Sequence, residues 1–396
     1  MGSSDRTRFV TAYVLMGFSI GFAWFILAPM VPGLIGLYKS SLSQVLLLIS
    51  VYGYAMVVVS LPAAWWAMKS GPQKLFKAAV IVSILGLATR AIGTSYTVAL
   101  LGQTIAALAY PMIISPIGAV LKLTGHQKPR SVTGLTIGLL FFGMALGAFL
   151  APSLLHGLGI SGTLWFVTII NALAGANLLA NLNRLPVPQL ATHVERPLLI
   201  TRWSLVGLAV ASISVMLGSI AGEALGKLGI PVSGALALGS LLTALTFLGS
   251  AIGAVILASV ADRVTRPEQY QKVLAVLTWF VLLWVGLALT GHAAHSASTL
   301  EIGFFVLGAL GNGWYSLALE ASARKAQSAG AAGLSTAGFS IISNLGVAIF
   351  PVFLGPLILT SSSTWLVLTL VLMLIAVLVP FFSRQDNSNT PSSRTA

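Results

Sequence analysis

The chain alternates between long apolar runs and short polar breaks, and the runs set its architecture. Read between breakers, they predict twelve helices at about 9–37, 44–68, 75–93, 96–122, 131–155, 160–183, 201–227, 236–260, 273–293, 298–321, 331–358 and 363–383. Each is close to the roughly 20 apolar residues that carry a helix across a bilayer. Pro29 and Pro32 end the regular part of the first run, since proline removes a backbone donor. Arg6 and Arg8 ahead of that run mimic a signal peptide. The run is too long for one and no A-x-A site follows, so it reads as a retained first helix. The stretches before about Thr7 and after Arg384 are short and polar, and 385–396 reads as a disordered tail.

Of 396 residues, 57% are apolar and only 7% are charged. A soluble chain carries about 25% charged residues, so a soluble domain of this size has too few charges to cover its surface. With a mean hydropathy of +0.96, the expectation is an all-α membrane protein. The net charge of +13 does not point to nucleic acid, because the positives are scattered singly among the breaks. Topology explains them. With both termini cytoplasmic, 18 of the 21 Lys and Arg fall on the inner side. Lys39 and Lys227 fall outside, and Arg90, near the outer end of the third helix, is expected to snorkel to the outer surface. Zero cysteines exclude disulfides, thiolate metal sites and Cys nucleophiles. His126, His156, His193, His292 and His295 all lie at helix ends or in breaks, so neither metal site nor cofactor is implied.

The longest polar connector divides six helices from six. It carries three prolines with His193, Glu195 and Arg196. The reading is an N-terminal six-helix bundle (1–183), a cytoplasmic linker (184–200) and a C-terminal six-helix bundle (201–384). The halves echo each other: each has a basic break between its second and third helices and a Gly-rich helix after a later basic break. Parallel six-helix repeats place a substrate site near the midplane between them.

These features resemble the major facilitator superfamily. Its signature in the loop after the second helix is roughly G-x-x-x-D-R-x-G-R-R. The first copy here keeps Lys69 and Gly71 but has Met68 in place of the acid; the second keeps Asp262, Arg263 and Arg266 but lacks the glycine. The resemblance implies that these loops latch the cytoplasmic helix ends, with one latch weakened by Met68. Many proton-coupled members carry an Arg in the fourth helix. Gln103 stands at that position here, so drug–proton antiport of the usual type loses support. A narrower likeness is to the transporters related to the feline leukaemia virus subgroup C receptor, a haem- and choline-linked group. It rests on Trp24, Pro62-Ala63-Ala64-Trp65 ahead of Gly71, Gly86 to Arg90, and Gly102-Gln103 with Ala107-Leu108-Ala109.

Candidate chemistry is sparse. Glu223 lies four residues before Lys227, which allows an i,i+4 pair at the outer interface or a coupling role. Glu320 lies four residues before Arg324 at an inner helix end, as a gate pair would. Glu301 is read as an acid at a helix start, favoured by the helix dipole. With so few charges, aromatic and amide side chains are the remaining candidates for substrate contact. They are Trp24, Tyr52 and Tyr110 in the first half, with Asn312, Trp314 and Tyr315 in the tenth helix. Tyr54, two residues after Tyr52, is a further cavity candidate in the second helix. Thr336, Ser340 and Asn344 recur every four residues as a polar stripe, which serves either helix–helix hydrogen bonds or a cavity. The π faces of Trp24, Tyr110, Trp314 and Tyr315 suit a cage for a soft organic cation. Gly134, Gly138, Gly143 and Gly147 suit close helix packing, and Pro111 and Pro116 are expected to kink the fourth helix beside Tyr110.

Rival classes fare worse. Gly159-Ile160-Ser161-Gly162 matches a short intramembrane-protease motif, but no histidine lies mid-helix to serve as its base. No G-x-x-x-x-G-K-[ST] occurs. The expectation is a monomeric, multi-pass secondary transporter of a small organic solute, working by alternating access in a plasma or bacterial inner membrane. A multidrug or lipid exporter of the same fold and a non-transporting assembly protein are the alternatives.

Overall fold

The computed structural model describes residues 2–187, 200–229, 232–293, 296–360 and 362–382. Among these residues the regular structure is helical and no strand occurs. The helices are α1 (Ser3–Phe25), α2 (Val31–Tyr38), α3 (Leu42–Ser70), α4 (Pro72–Ile92), α5 (Tyr96–Ile114), α6 (Ile117–Thr124), α7 (Pro129–Asn181), α8 (Ser204–Lys227), α9 (Val232–Ala261), α10 (Pro267–Leu289), α11 (Ala297–Arg324), α12 (Ala329–Thr360) and α13 (Ser362–Leu378). Among the described residues, nine helices are long and apolar enough to cross a membrane. Each of the twelve apolar runs falls on helical chain. The first is α1 broken from α2 ahead of Pro32, the fourth is α5 broken from α6, and the fifth and sixth are the two arms of α7.

Local chemistry fixes the ends. Ser41 caps α3 in a reciprocal box with Gln44, and Ser95 and Ser296 cap α5 and α11 through the amides of Val98 and Thr299. Pro72, Pro129 and Pro267 open α4, α7 and α10, where a missing N–H costs nothing. Gly71, at φ 83°, joins α3 to α4 in a single residue. Gly159, at φ 67°, reverses α7 on itself, so both ends of α7 lie with the basic breaks. Neither conformation suits a side chain. Glu301 is the fifth residue of α11, whose first turn carries no acid, so the dipole reading of this residue fails and Ser296 does the capping.

Packing repeats along the chain. α1 packs on α7, α3 on α5 and α4 on α7; α8 then packs on α12, α9 on α11 and α10 on α13. The two groups meet where α7 crosses α9 and where α12 crosses α3 and α6. Small residues permit it. A Cβ on Gly134 would strike the Ala254 carbonyl of α9, and one on Gly143 the Phe18 carbonyl of α1.

The linker with His193, Glu195 and Arg196, together with His295, Arg384 and the tail, lies outside the described residues. So do the side chains of Glu223 and Lys227 on α8.

Candidate functional site

Three aromatic residues from three helices converge. Trp24, at the end of α1, stacks on Tyr52 of α3 with centroids 4.9 Å apart and an interplanar angle of 10°. Tyr110 of α5 closes the group, 5.3 Å from Trp24 and 6.2 Å from Tyr52. The Trp24 indole N–H donates to the Ile49 carbonyl at 2.7 Å, which fixes the ring against α3. Tyr110 stands just before Pro111, and the helix breaks at Ser115 and Pro116, at the N-cap of α6. Tyr54 points away from this group and is 51% exposed.

Arg90 corrects the sequence reading. It does not snorkel outward: it is 1% exposed, among the largest enclosed side chains of the molecule. Its Nη1 donates to the Ala23 carbonyl at 3.0 Å and to Gln103 Oε1 at 2.8 Å. Gln103 Nε2 in turn donates to the Leu48 carbonyl at 2.8 Å. Arg90 Nε and Nη2 are buried without a partner. A guanidinium therefore lies where the sequence offered only Gln103, supplied by the neighbouring helix. Its two anchor points, Ala23 and Leu48, each precede a residue of the aromatic group's own scaffold, Trp24 and Ile49. Tyr52 and Tyr38 are within electrostatic range of it.

The C-terminal candidates divide. Tyr315 packs edge-on against Phe339 at 5.0 Å, hydrogen-bonds Ser343 and lies within electrostatic range of Tyr110 across the two groups. Trp314 beside it is wholly enclosed, with no open ring face for a cage, and its indole N–H has no partner. Asn312 donates to Ser250 of α9 at 2.7 Å, and Asn344 donates back to the Ser340 carbonyl one turn earlier at 2.9 Å. Both amide nitrogens thus serve helix bonding. Thr336 donates to the Ser115 carbonyl at 2.5 Å and so bridges α12 to the α5–α6 break. Ser340 lies between these two and is 2% exposed.

The end carrying the basic breaks is closed. Asp262 accepts from Ser131 N at 2.7 Å and Ser131 Oγ at 2.6 Å, and lies 3.6 Å from Arg130. Arg130 also lies 3.7 Å from Glu320, which Arg324 holds at 2.5 Å. The four charges join α7, α9 and α11. Arg263 and Arg266 of the same motif are exposed. In the first copy of the motif, Lys69 sits 3.9 Å over the Trp65 ring, while Met68 packs 2.5 Å from where a Cβ on Gly330 of α12 would stand. One crossing is ionic and its counterpart is apolar.

Sequence reading missed a buried bridge. Ser83 donates to Asn171 Oδ1 at 2.9 Å and Asn171 Nδ2 donates to Ser19 at 3.0 Å, tying α4, α7 and α1 together. Single hydroxyls on separate helices leave no periodic trace in a sequence. A groove lined by Arg8, Thr11, Asn177 and Arg184 lies at the closed end. From Arg8 to Trp24 along α1 is about 24 Å at 1.5 Å per residue, so this groove is remote from the aromatic group.

These long apolar helices and their crossed groups are those of a multi-pass membrane protein. The Major Facilitator Superfamily model matches residues 13–206. The match covers the N-terminal part of the chain. Among solved structures it is similar to a variant of the Escherichia coli fucose:proton symporter FucP (TM-score 0.71, 13% identity, 95% of this chain and 99% of that one). It is also similar to the human organic anion transporter MFSD10 (TM-score 0.74, 14% identity, 96% and 100%). A third is a bacterial homologue of the iron transporter ferroportin in its outward-facing state (TM-score 0.69, 13% identity, 95% and 98%). At these identities the likeness is one of fold. No curated protein sequence matches the chain.

Proposed function

We propose that this protein carries a small organic solute across the membrane by alternating access between two six-helix bundles, 1–183 and 201–384, with both termini cytoplasmic in a plasma or bacterial inner membrane. The observation that carries this reading is the pairing of a convergent aromatic group, Trp24–Tyr52–Tyr110, with a charge-locked end some turns away. A site at the crossing and a closed gate on one side are the two parts that alternating access needs. The closed end is the one rich in Lys and Arg, so the state is outward-facing under the positive-inside orientation.

Trp24, Tyr52, Tyr110 and Tyr315 form the substrate face. Trp314 and Asn312 serve packing and stay outside it. The aromatic faces suit a solute with a flat or apolar part. Arg90 beside them disfavours the soft-cation cage, because like charges in a desolvated site repel. Glu320, Arg324, Arg130 and Asp262 act as the inner gate.

The test is uptake of radiolabelled benzoate and choline by the purified full-length protein in liposomes. Uptake lost in Trp24→Ala and in Tyr110→Ala supports the site. Uptake unchanged in both sinks it.

A further inference from the structure

Arg90 is enclosed in the last turn of α4, and no acid among the described residues pairs with it. The first 194 residues contain a single acidic residue, Asp5, and it pairs with Arg184 at the closed end. The groups that do reach Arg90 are neutral: the Ala23 carbonyl and the Gln103 amide oxygen. A guanidinium carries five N–H donors. Nη1 spends two of them, while Nε and Nη2 are enclosed and unmet. Arginine does not shed its proton to escape this situation. A buried charge without a counter-ion is strongly unfavourable, and in membrane helices such a residue marks a solute or ion path. A neutral side chain would brace α1, α3 and α5 as well; only the charge is left unexplained by bracing. The free Nε and Nη2 form the edge that takes a carboxylate through two parallel hydrogen bonds.

We propose that Arg90 is the anion-recognition residue of this protein, taking as counter-ion the carboxylate of a small organic acid whose apolar part lies on the Trp24–Tyr52–Tyr110 face. This rests on the reading of that face as the substrate site, and narrows the solute to organic anions. Gln103 is a positioning residue: it holds Nη1 and is itself held by Leu48, so the remaining edge of the guanidinium is fixed in direction.

The test compares three ligands of one shape on purified full-length protein in detergent and chloride-free buffer: benzoate, uncharged benzamide and benzyltrimethylammonium. Millimolar benzoate is expected to raise the Tm by at least about 2 °C, with clearly smaller shifts from the other two. Equal shifts from benzoate and benzamide, or a larger one from the ammonium, overturn the proposal. Gln103→Glu places a carboxylate beside Arg90, and should abolish the benzoate shift; a full shift in that variant also overturns it. Arg90→Gln should lose the shift as well, and where it does not fold, the ligand comparison and Gln103→Glu decide. An anionic lipid headgroup shares the carboxylate's chemistry, so phosphatidylglycerol is titrated separately. Stabilisation by the lipid with none from benzoate overturns the solute assignment. Liposome uptake separates the two readings: benzoate stabilisation without flux overturns transport alone, and choline flux without benzoate stabilisation overturns the Arg90 assignment alone.

Discussion

The guanidinium of Arg90 meets the side-chain oxygen of Gln103 at 2.8 Å, and the Gln103 nitrogen passes the connection to the Leu48 carbonyl at 2.8 Å. Three helices are joined through one amide. Gln103→Leu keeps the volume but strands a charged donor and a carbonyl in an enclosed site. Breaking a buried bond this way costs about 2–4 kcal/mol. Thermal unfolding in detergent should show it as a drop in Tm, and an unchanged Tm would mean the bridge contributes nothing.

The close approach of α4 to α5 predicts a second effect. A Cβ on Gly102 would run into the Arg90 backbone nitrogen, and one on Gly86 into the backbone of Ala106. Backbone cannot rotate aside as a side chain does, so the helices must separate. Gly102→Ala is expected to destabilise by about 1–3 kcal/mol and to weaken benzoate stabilisation more than Gly36→Ala, where the added methyl meets open space. Equal effects from the two would refute the packing argument.

The inner gate predicts a change in conformational balance. The chain has no cysteine, so a Met68→Cys, Gly330→Cys pair reports on the α3–α12 contact without background. Cross-linking should be efficient in this pair with no other change and should stop uptake. Adding Asp262→Ala removes the acceptor of Ser131 and the partner of Arg130, and the cross-linking rate is expected to fall severalfold. A rate untouched by this change would show that the latch does not hold the closed state.

His126 predicts a pH effect outside the membrane. Partial burial, then Arg6 and to a smaller extent Lys128, hold its imidazole below the ordinary 6.5, against an opposing pull from Asp262. Its Nδ1 also accepts the Lys128 amide at 3.1 Å, which requires the neutral ring. Folding disfavours the proton, so this contribution to stability is intact above pH 6.5 and is lost as pH falls from there to the lowered value. Tm measured across that window should drop less in His126→Asn than in the wild type.

Much of the architecture was legible because lipid imposes it: apolar runs of spanning length become helices whatever their neighbours. Trp24, Tyr52 and Tyr110 stand out as candidates in a chain so poor in charge, but their convergence is visible only in the packing of α1, α3 and α5. Arg90 was not legible as an enclosed residue. Distance along α4 places it near an outer surface, and nothing in one helix's sequence shows that α1, α3 and α5 wall it in. Trp314 and Tyr315 are neighbours in sequence, and only tertiary packing shows that one is enclosed while the other faces Tyr110. Asn312 likewise met its partner, Ser250, on a helix 62 residues away.

The glycines of α7 serve two different partners. Gly134 and Gly138 lie against Ala254 and Val255 of α9, and Gly143 and Gly147 against Phe18 and Phe22 of α1. Between Gly138 and Gly143 the helix turns through about 140° beyond a full revolution, so the two smooth tracks lie on different sides of one rod. That rod is a lever seated in two bearings, one belonging to each half of the molecule. Roughening either bearing with a single methyl should stiffen the motion at the other, without touching any residue that meets the solute.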